Sequence, residues 1–193
     1  MDTGVKGKSV EILSKELLLE YSSLENLLFT PESFLLKIKG LGRAKVSKLA
    51  ATREMLGRLK LKNLFKSNKE NSIQNLKEYL FLKSRSEVRE CFYLITMSAS
   101  QKLLRVELIS RGSLTEVGVH FRDIVKMILD DGAAFVIISH NHPHQSSTPS
   151  IEDWEMYSEF KKLLLYMEVE LLDQWVFGTD GIFSCSKNKL YPV

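Results

Sequence analysis

The sequence predicts an α/β domain preceded by a small all-α segment, and three observations carry that prediction. Apolar residues recur at helical spacing through residues 8–60. Further on, short apolar runs rich in β-branched residues alternate with helical patterns, as in α/β architectures. The charge also changes sign along the chain. Residues 1–69 hold 14 Lys+Arg against 7 Asp+Glu, whereas residues 70–193 hold 13 against 17.

The first helices follow Val10, Leu13, Leu17 and Leu18, then Leu24, Leu27 and Leu28, then Phe34, Leu35 and Ile38. A longer one runs from Val46, Leu49 and Ala50 towards Leu59. Residues 63–72 are polar and lysine-rich and read as a connection, with the linker proper at 66–72 between domains 1–65 and 73–193. A helix over 72–82 comes next. Strands over 90–97 and 103–109 flank the turn Ser98-Ala99-Ser100-Gln101. A helix fits 121–130, and the run Ala133-Ala134-Phe135-Val136-Ile137-Ile138 reads as a buried strand. A helix over 150–167 and a hairpin, 169–177 and 182–186 around Gly178-Thr179-Asp180-Gly181, close the domain.

The buried strand ends in Ser139-His140-Asn141-His142-Pro143, and this spacing carries chemistry. Alternate side chains of an extended segment share a face, so His140 and His142 can reach one cation while Asn141 points elsewhere. Pro143 and Pro149 bracket a loop, and a helix starts at Ser150. Asp153, in its first turn, can turn a carboxylate back to the imidazoles. Two His and one carboxylate leave a fourth tetrahedral position open, the composition of a catalytic zinc site. The same Ser150-Ile151-Glu152-Asp153 also reads simply as an N-cap serine with an acid at N3, a variant of the capping box.

Composition narrows the class. At 193 residues, 44% hydrophobic and 26% charged, the chain has the make-up of an ordinary globular protein with one good core and a small appendage. No apolar run approaches the roughly eighteen residues of a membrane span, and no signal-type stretch follows Met1, so a cytoplasmic protein without membrane contact is expected. Cys91 and Cys185 form no C-x-x-C and are expected in separate strands, buried and reduced. Their separation argues against a deaminase-type zinc site, which needs a cysteine pair.

Between Lys37 and Lys69 the chain has eleven Lys+Arg and one acid, Glu54. Inside this run sits Ile38-Lys39-Gly40-Leu41-Gly42-Arg43-Ala44-Lys45-Val46, a G-x-G between two helices that resembles the helix-hairpin-helix motif of DNA-repair proteins. Gly40 and Gly42 allow close approach of backbone amides to a phosphate, and Lys39, Arg43 and Lys45 add charge. Duplex or branched DNA is the partner this chemistry fits. The competing reading is a helix C-cap glycine followed by a turn.

H-x-H, seven residues, then S-x-x-D resembles the JAMM (MPN-type) metalloprotease signature, and its surroundings resemble the RadC family of bacterial proteins. Gly112-Ser113-Leu114, Val119-His120-Phe121-Arg122-Asp123, His140-Asn141-His142-Pro143, Pro149-Ser150-Ile151-Glu152-Asp153, Gly178-Thr179-Asp180-Gly181 and Phe183-Ser184 occur in that family's order. The resemblance implies a JAMM/MPN-like (cytidine-deaminase-like) mixed sheet flanked by helices, preceded by a helix-hairpin-helix domain that begins earlier in RadC-like chains than here. It implies Zn2+ held by His140, His142 and Asp153, with Ser150 beside the bound water. A glutamate upstream of the histidines serves as general base in JAMM enzymes, and Asp123, Glu107 and Glu116 are the candidates. Three departures stand out: Pro143-His144-Gln145-Ser146 where the family has HPSG, His120-Phe121-Arg122-Asp123 where it has H-P-R-E, and Asp173-Gln174 in place of Asp-His.

The function expected is a zinc-dependent, peptidase-like hydrolase with an associated DNA contact; the chemistry suits peptide and phosphodiester bonds alike. The alternative is a non-catalytic DNA-binding or DNA-repair accessory protein using the JAMM-like domain for protein contacts. His144, two residues past His142 and across Pro143, is expected at the site mouth without binding the metal.

Overall fold

The computed structural model describes residues 8–66, 72–112 and 120–192. The chain divides into two compact units, Met1–Lys62 and Asn63–Val193.

The elements described in the first unit are helices. Helix α1, Val10–Tyr21, starts where the Ser9 hydroxyl accepts from the Ile12 amide, and α2, Leu24–Leu28, is capped in the same way by Ser23. After α3, Glu32–Leu35, and the hairpin, α4 runs over Arg43–Lys66. Leu13, Leu17, Leu27, Leu35, Leu41 and Val46 form the buried core, with Tyr21, Ile38 and Leu49 packed against it. The hairpin is anchored by this core, since Leu41 between the two glycines is buried. Gly40 takes φ 102°, a conformation that favours glycine, and the carbonyl of Gly42 receives the amides of Lys45 and Val46. Arg53 of α4 donates to the carbonyl of Leu28 at 3.3 Å and pairs with Glu32 at 3.2 Å.

The connection expected over 63–72 begins later than its composition implies. Helix α4 continues to Lys66, because Leu61, Leu64 and Phe65 prolong the apolar spacing and Leu64 is buried. Of the expected 66–72 linker, Lys66 ends α4 and Ser72 begins α5, Ser72–Ser84; residues 67–71 lie outside the described ones.

The second unit is built on one six-stranded mixed sheet. Its strands are β1, Cys91–Met97; β2, Leu103–Arg111; β3, Phe135–Asn141; β4, Glu170–Gly178; β5, Gly181–Ser184; and β6, Lys189–Pro192. Their order is β2-β1-β3-β4-β5-β6, antiparallel except for the parallel β3–β4 pair. A parallel pair needs a crossover, and α7, Ile151–Leu165, supplies it. Helices α6, Phe121–Asp130, and α7 cover one face, where Phe92, Leu94, Ile124, Ile128, Val136, Ile138, Phe160 and Leu164 form the core. On the other face α5 buries Leu76, Tyr79, Leu80 and Phe81, with Phe81 edge-on to Phe177 of β4.

Several element ends shift by a residue or two, and one strand is new. β3 extends to Asn141, so His140 lies within the strand. β5 stops at Ser184, which leaves Cys185 in the turn beyond it, although its amide still donates to the Gln174 carbonyl. β6 has no counterpart in the sequence reading, because its four residues are all exposed and show no alternation. Both cysteines are free and buried, and burial pushes each thiol up to about 12. Among the described residues no helix is long and apolar enough to cross a membrane.

Candidate metal centre

Strand period and helix capping bring three donors together. His140 Nε2 lies 2.9 Å from Asp153 Oδ1, His142 Nε2 lies 3.2 Å from Asp153 Oδ2, and the two Nε2 atoms are 3.2 Å apart. Among the described residues these three side chains form a group whose ligand atoms all fall within 4.8 Å of one another. Asn141 points away, as alternation requires, with its Oδ1 receiving the Cys91 amide at 2.8 Å and its amide donating to the Arg89 carbonyl. Both readings of the helix start hold at once. Ser150 Oγ accepts from the Asp153 amide, the Ser150 amide donates to Asp153 Oδ2 at 2.8 Å, and the same carboxylate faces the imidazoles.

Electrostatics fit a cation between these groups. Burial raises the Asp153 carboxyl, but the hydrogen bonds from His140 and His142 more than offset this and hold it well below the usual carboxylate range. His142 is raised, first by its bond to Asp153, against burial, with help from the Ser146 carbonyl and the charge of Glu90. The Ser146 carbonyl sits 3.0 Å from His142 Nδ1. It fixes the tautomer that leaves the Nε2 lone pair pointing at the cluster. His140 Nδ1 is buried and has no hydrogen-bond partner among the described residues.

The donors lie in a cleft of about 530 Å³. Phe92, Phe121 and Met156 give it an apolar side, while Glu152, Glu155 and Glu159 of α7 and Glu90 are its other acids; no Lys or Arg is among the described residues lining it. Ser150 lines the cleft, and its oxygen accepts from the Asp153 amide, so its hydroxyl proton is left to donate.

The structure does not bring Asp123 or Glu107 to this cleft. Asp123 is on the first turn of α6, more than half exposed and 3.7 Å from Arg122. Glu107 is on β2, half exposed and 4.0 Å from Arg105. Glu116 lies outside the described residues. Of the acids that line the cleft, Glu90, the residue before β1, is the one that lies upstream of both histidines in the chain. β1 pairs antiparallel with β3, Phe92 opposite His140, so carrying that register on by two residues sets Glu90 opposite His142. His144 is not on the cleft either. It takes φ 63° in the turn after Pro143 and lines a separate, smaller cavity with Ser84, Arg85 and Thr179.

The loop that carries His142 is strapped to the β4–β5 turn. The His142 amide donates to the Phe177 carbonyl at 2.8 Å, the Thr179 amide to the Gln145 carbonyl at 2.8 Å, and the Ser147 amide to Asp180 Oδ1 at 2.7 Å. Contact is closest at Gly178, where a Cβ would stand 2.1 Å from the Ser147 nitrogen.

The domain that carries this H-x-H and this capped acid also matches known proteins. The RadC-like JAB domain family covers residues 70–190. This chain belongs to the RadC family. A UPF0758 protein of Janthinobacterium sp. (strain Marseille) is 34% identical over 185 residues, 96% of this chain and 83% of that protein. Another from Methylibium petroleiphilum is 34% identical over 188 residues, 97% of this chain and 85% of its own length. A third, from Aliivibrio fischeri (strain MJ11), is 31% identical over 94% of this chain and 81% of its own. This RadC-family chain therefore shares its JAB domain, and most of its helical segment, with those proteins.

Proposed function

We propose that this RadC-family protein is a zinc-dependent hydrolase of peptide bonds. The convergence of His140, His142 and Asp153 beside Glu90 in one cleft carries the reading. The donor set, two imidazole nitrogens and one carboxylate oxygen, suits zinc. When bound, zinc polarises the scissile carbonyl and lowers the pKa of a water molecule towards neutrality. Glu90 takes the proton that the attacking water gives up and returns it to the departing amine. The Ser150 hydroxyl donates to the carbonyl oxygen as charge develops there. Phe92, Phe121 and Met156 keep one side of the cleft apolar. The charge of the cleft supports a peptide over a phosphodiester, since five carboxylates and no described cation would repel a phosphate backbone.

The test is metal content. Protein purified without added zinc is expected to hold close to one zinc per chain, and His142→Ala or Asp153→Ala to lose it while remaining folded. The fold should survive because the Ser150 hydroxyl still caps the backbone of residue 153 in the second variant. His144→Ala should keep its zinc. Full zinc occupancy in both ligand variants would refute the assignment.

The basic hairpin supports an additional DNA contact through Lys39, Gly40, Gly42, Arg43 and Lys45. At Gly42 an added Cβ would meet nothing within 4 Å, so its backbone is open to a ligand. Lys45 Nζ also donates to the Gly40 carbonyl at 2.9 Å, which places its charge at the hairpin. Replacing Lys39, Arg43 and Lys45 together should weaken duplex binding across all sequences and flatten the slope of log K against log salt by about three units. Gly42→Val should leave the helices folded and weaken binding by blocking backbone approach. Equal DNA binding by the intact chain and by a variant lacking these charges would assign no partner to the basic run. A protein with DNA binding and no hydrolysis would instead match the accessory role, with the JAB domain serving for protein contacts.

A further inference from the structure

Gln174 is a neutral side chain of β4 with no exposure to solvent, and its amide reaches the backbone of Asp153, one of the proposed metal donors. Its Nε2 donates to the backbone carbonyl of Asp153 at 3.1 Å, a bond between the sheet and the first turn of α7. Its Oε1 is buried and has no hydrogen-bond partner among the described residues. The other relevant orphan is His140 Nδ1, also buried. These two atoms are complementary. An imidazole that binds a cation through Nε2 carries its proton on Nδ1 and needs an acceptor for it, and Oε1 is an acceptor lacking a donor. The register makes the pairing reachable. In the parallel β3–β4 pair Ile138 lies opposite Gln174 and His140 opposite Val176, so Gln174 and His140 are diagonal neighbours on one face. A buried polar atom left unpaired is costly, and loading the site would leave the Nδ1 proton of His140 in that state.

We propose that Gln174 is a positioning residue that holds two ligands of the metal site at once. Its Nε2 fixes Asp153 through the helix backbone, and its Oε1 takes the Nδ1 proton of His140, directly or through one buried water. His142 is oriented separately, by the Ser146 carbonyl. One amide thus keeps the strand donor and the helix donor in register while contacting neither substrate nor metal.

This inference rests on the zinc reading and is tested beside it. Zinc affinity is measured by competition with a chromophoric chelator for the full-length wild type, Asp153→Ala, Gln174→Met and Gln174→His. Gln174→Met keeps the volume and removes both hydrogen bonds, and it should weaken zinc binding about 10–100-fold with an unchanged far-ultraviolet spectrum. Gln174→His keeps one donor and one acceptor and should recover most of the loss. In parallel, nitrogen-edited imidazole spectra of the zinc-loaded wild type should show a slowly exchanging His140 Nδ1 proton, a readout that needs no variant to fold. Undiminished affinity in Gln174→Met, or a His140 Nδ1 proton in fast exchange with water, would overturn the role of Gln174 and leave the zinc site standing. Undiminished zinc binding by Asp153→Ala would overturn both.

Discussion

Glu90→Gln should lower peptide hydrolysis by about 10²–10⁴-fold while leaving zinc content and thermal stability close to wild type. Glutamine keeps the shape of the side chain and cannot accept the proton of the attacking water. Glu90 is exposed at the edge of the cleft and is not one of the three convergent donors, so its neutralisation should spare the fold and the metal. The measurement is single-turnover hydrolysis of a peptide substrate together with metal analysis of the same sample. Asp123→Asn and Glu107→Gln are the controls and should behave as wild type, because both side chains are outside the cleft and paired with neighbouring arginines. Activity lost in Asp123→Asn and retained in Glu90→Gln would reverse the assignment.

Gly178→Val should be the most damaging single change away from the donors. The first side-chain carbon would fall 2.1 Å from the Ser147 nitrogen and 2.4 Å from the Ser146 carbonyl carbon, both backbone atoms that cannot rotate aside. Either β4 or the 143–149 loop must move. Overpacking of this kind costs about 1–3 kcal/mol, with the upper end expected where backbone meets backbone. The larger effect should be on zinc, since the displaced loop carries the Ser146 carbonyl that orients His142. Calorimetry and chelator competition would separate the two. A variant with lowered stability and unaltered zinc affinity would show that the strap stabilises the fold without setting the site.

Much of the site was legible because it obeys local rules. The H-x-H needed only strand alternation, and Asp153 needed only a helix start, so two short-range patterns located three donors. The proposed proton carrier was not legible in the same way. Glu90 is far upstream of His142, and the two come opposite each other only through the pairing of β1 with β3, whose register no single stretch of sequence specifies. The available signal was weaker: an acid at the mouth of the most apolar strand, Cys91–Met97, all seven residues of which are buried. Asp123 and Glu107 were plausible as acids near family motifs, yet each points to solvent from its own element. The course of α4 past residue 63 was missed for a different reason. Its polar residues suit a linker and a solvated helix face equally, and the burial of Leu64 decides between them. Gly178 was visible as a turn residue, but its contact with Ser147 depends on a loop thirty residues away.

The pairing of β1 with β3 also sets the order in which the cleft is assembled. The three donors lie within residues 140–153, close enough along the chain to gather early, whereas Glu90 joins them only when a long-range, slow-closing strand pair zips up. In the proposed hydrolase the cation site would therefore form before its base, and the chain's own unfolded segments would be spared until the sheet that protects them has closed.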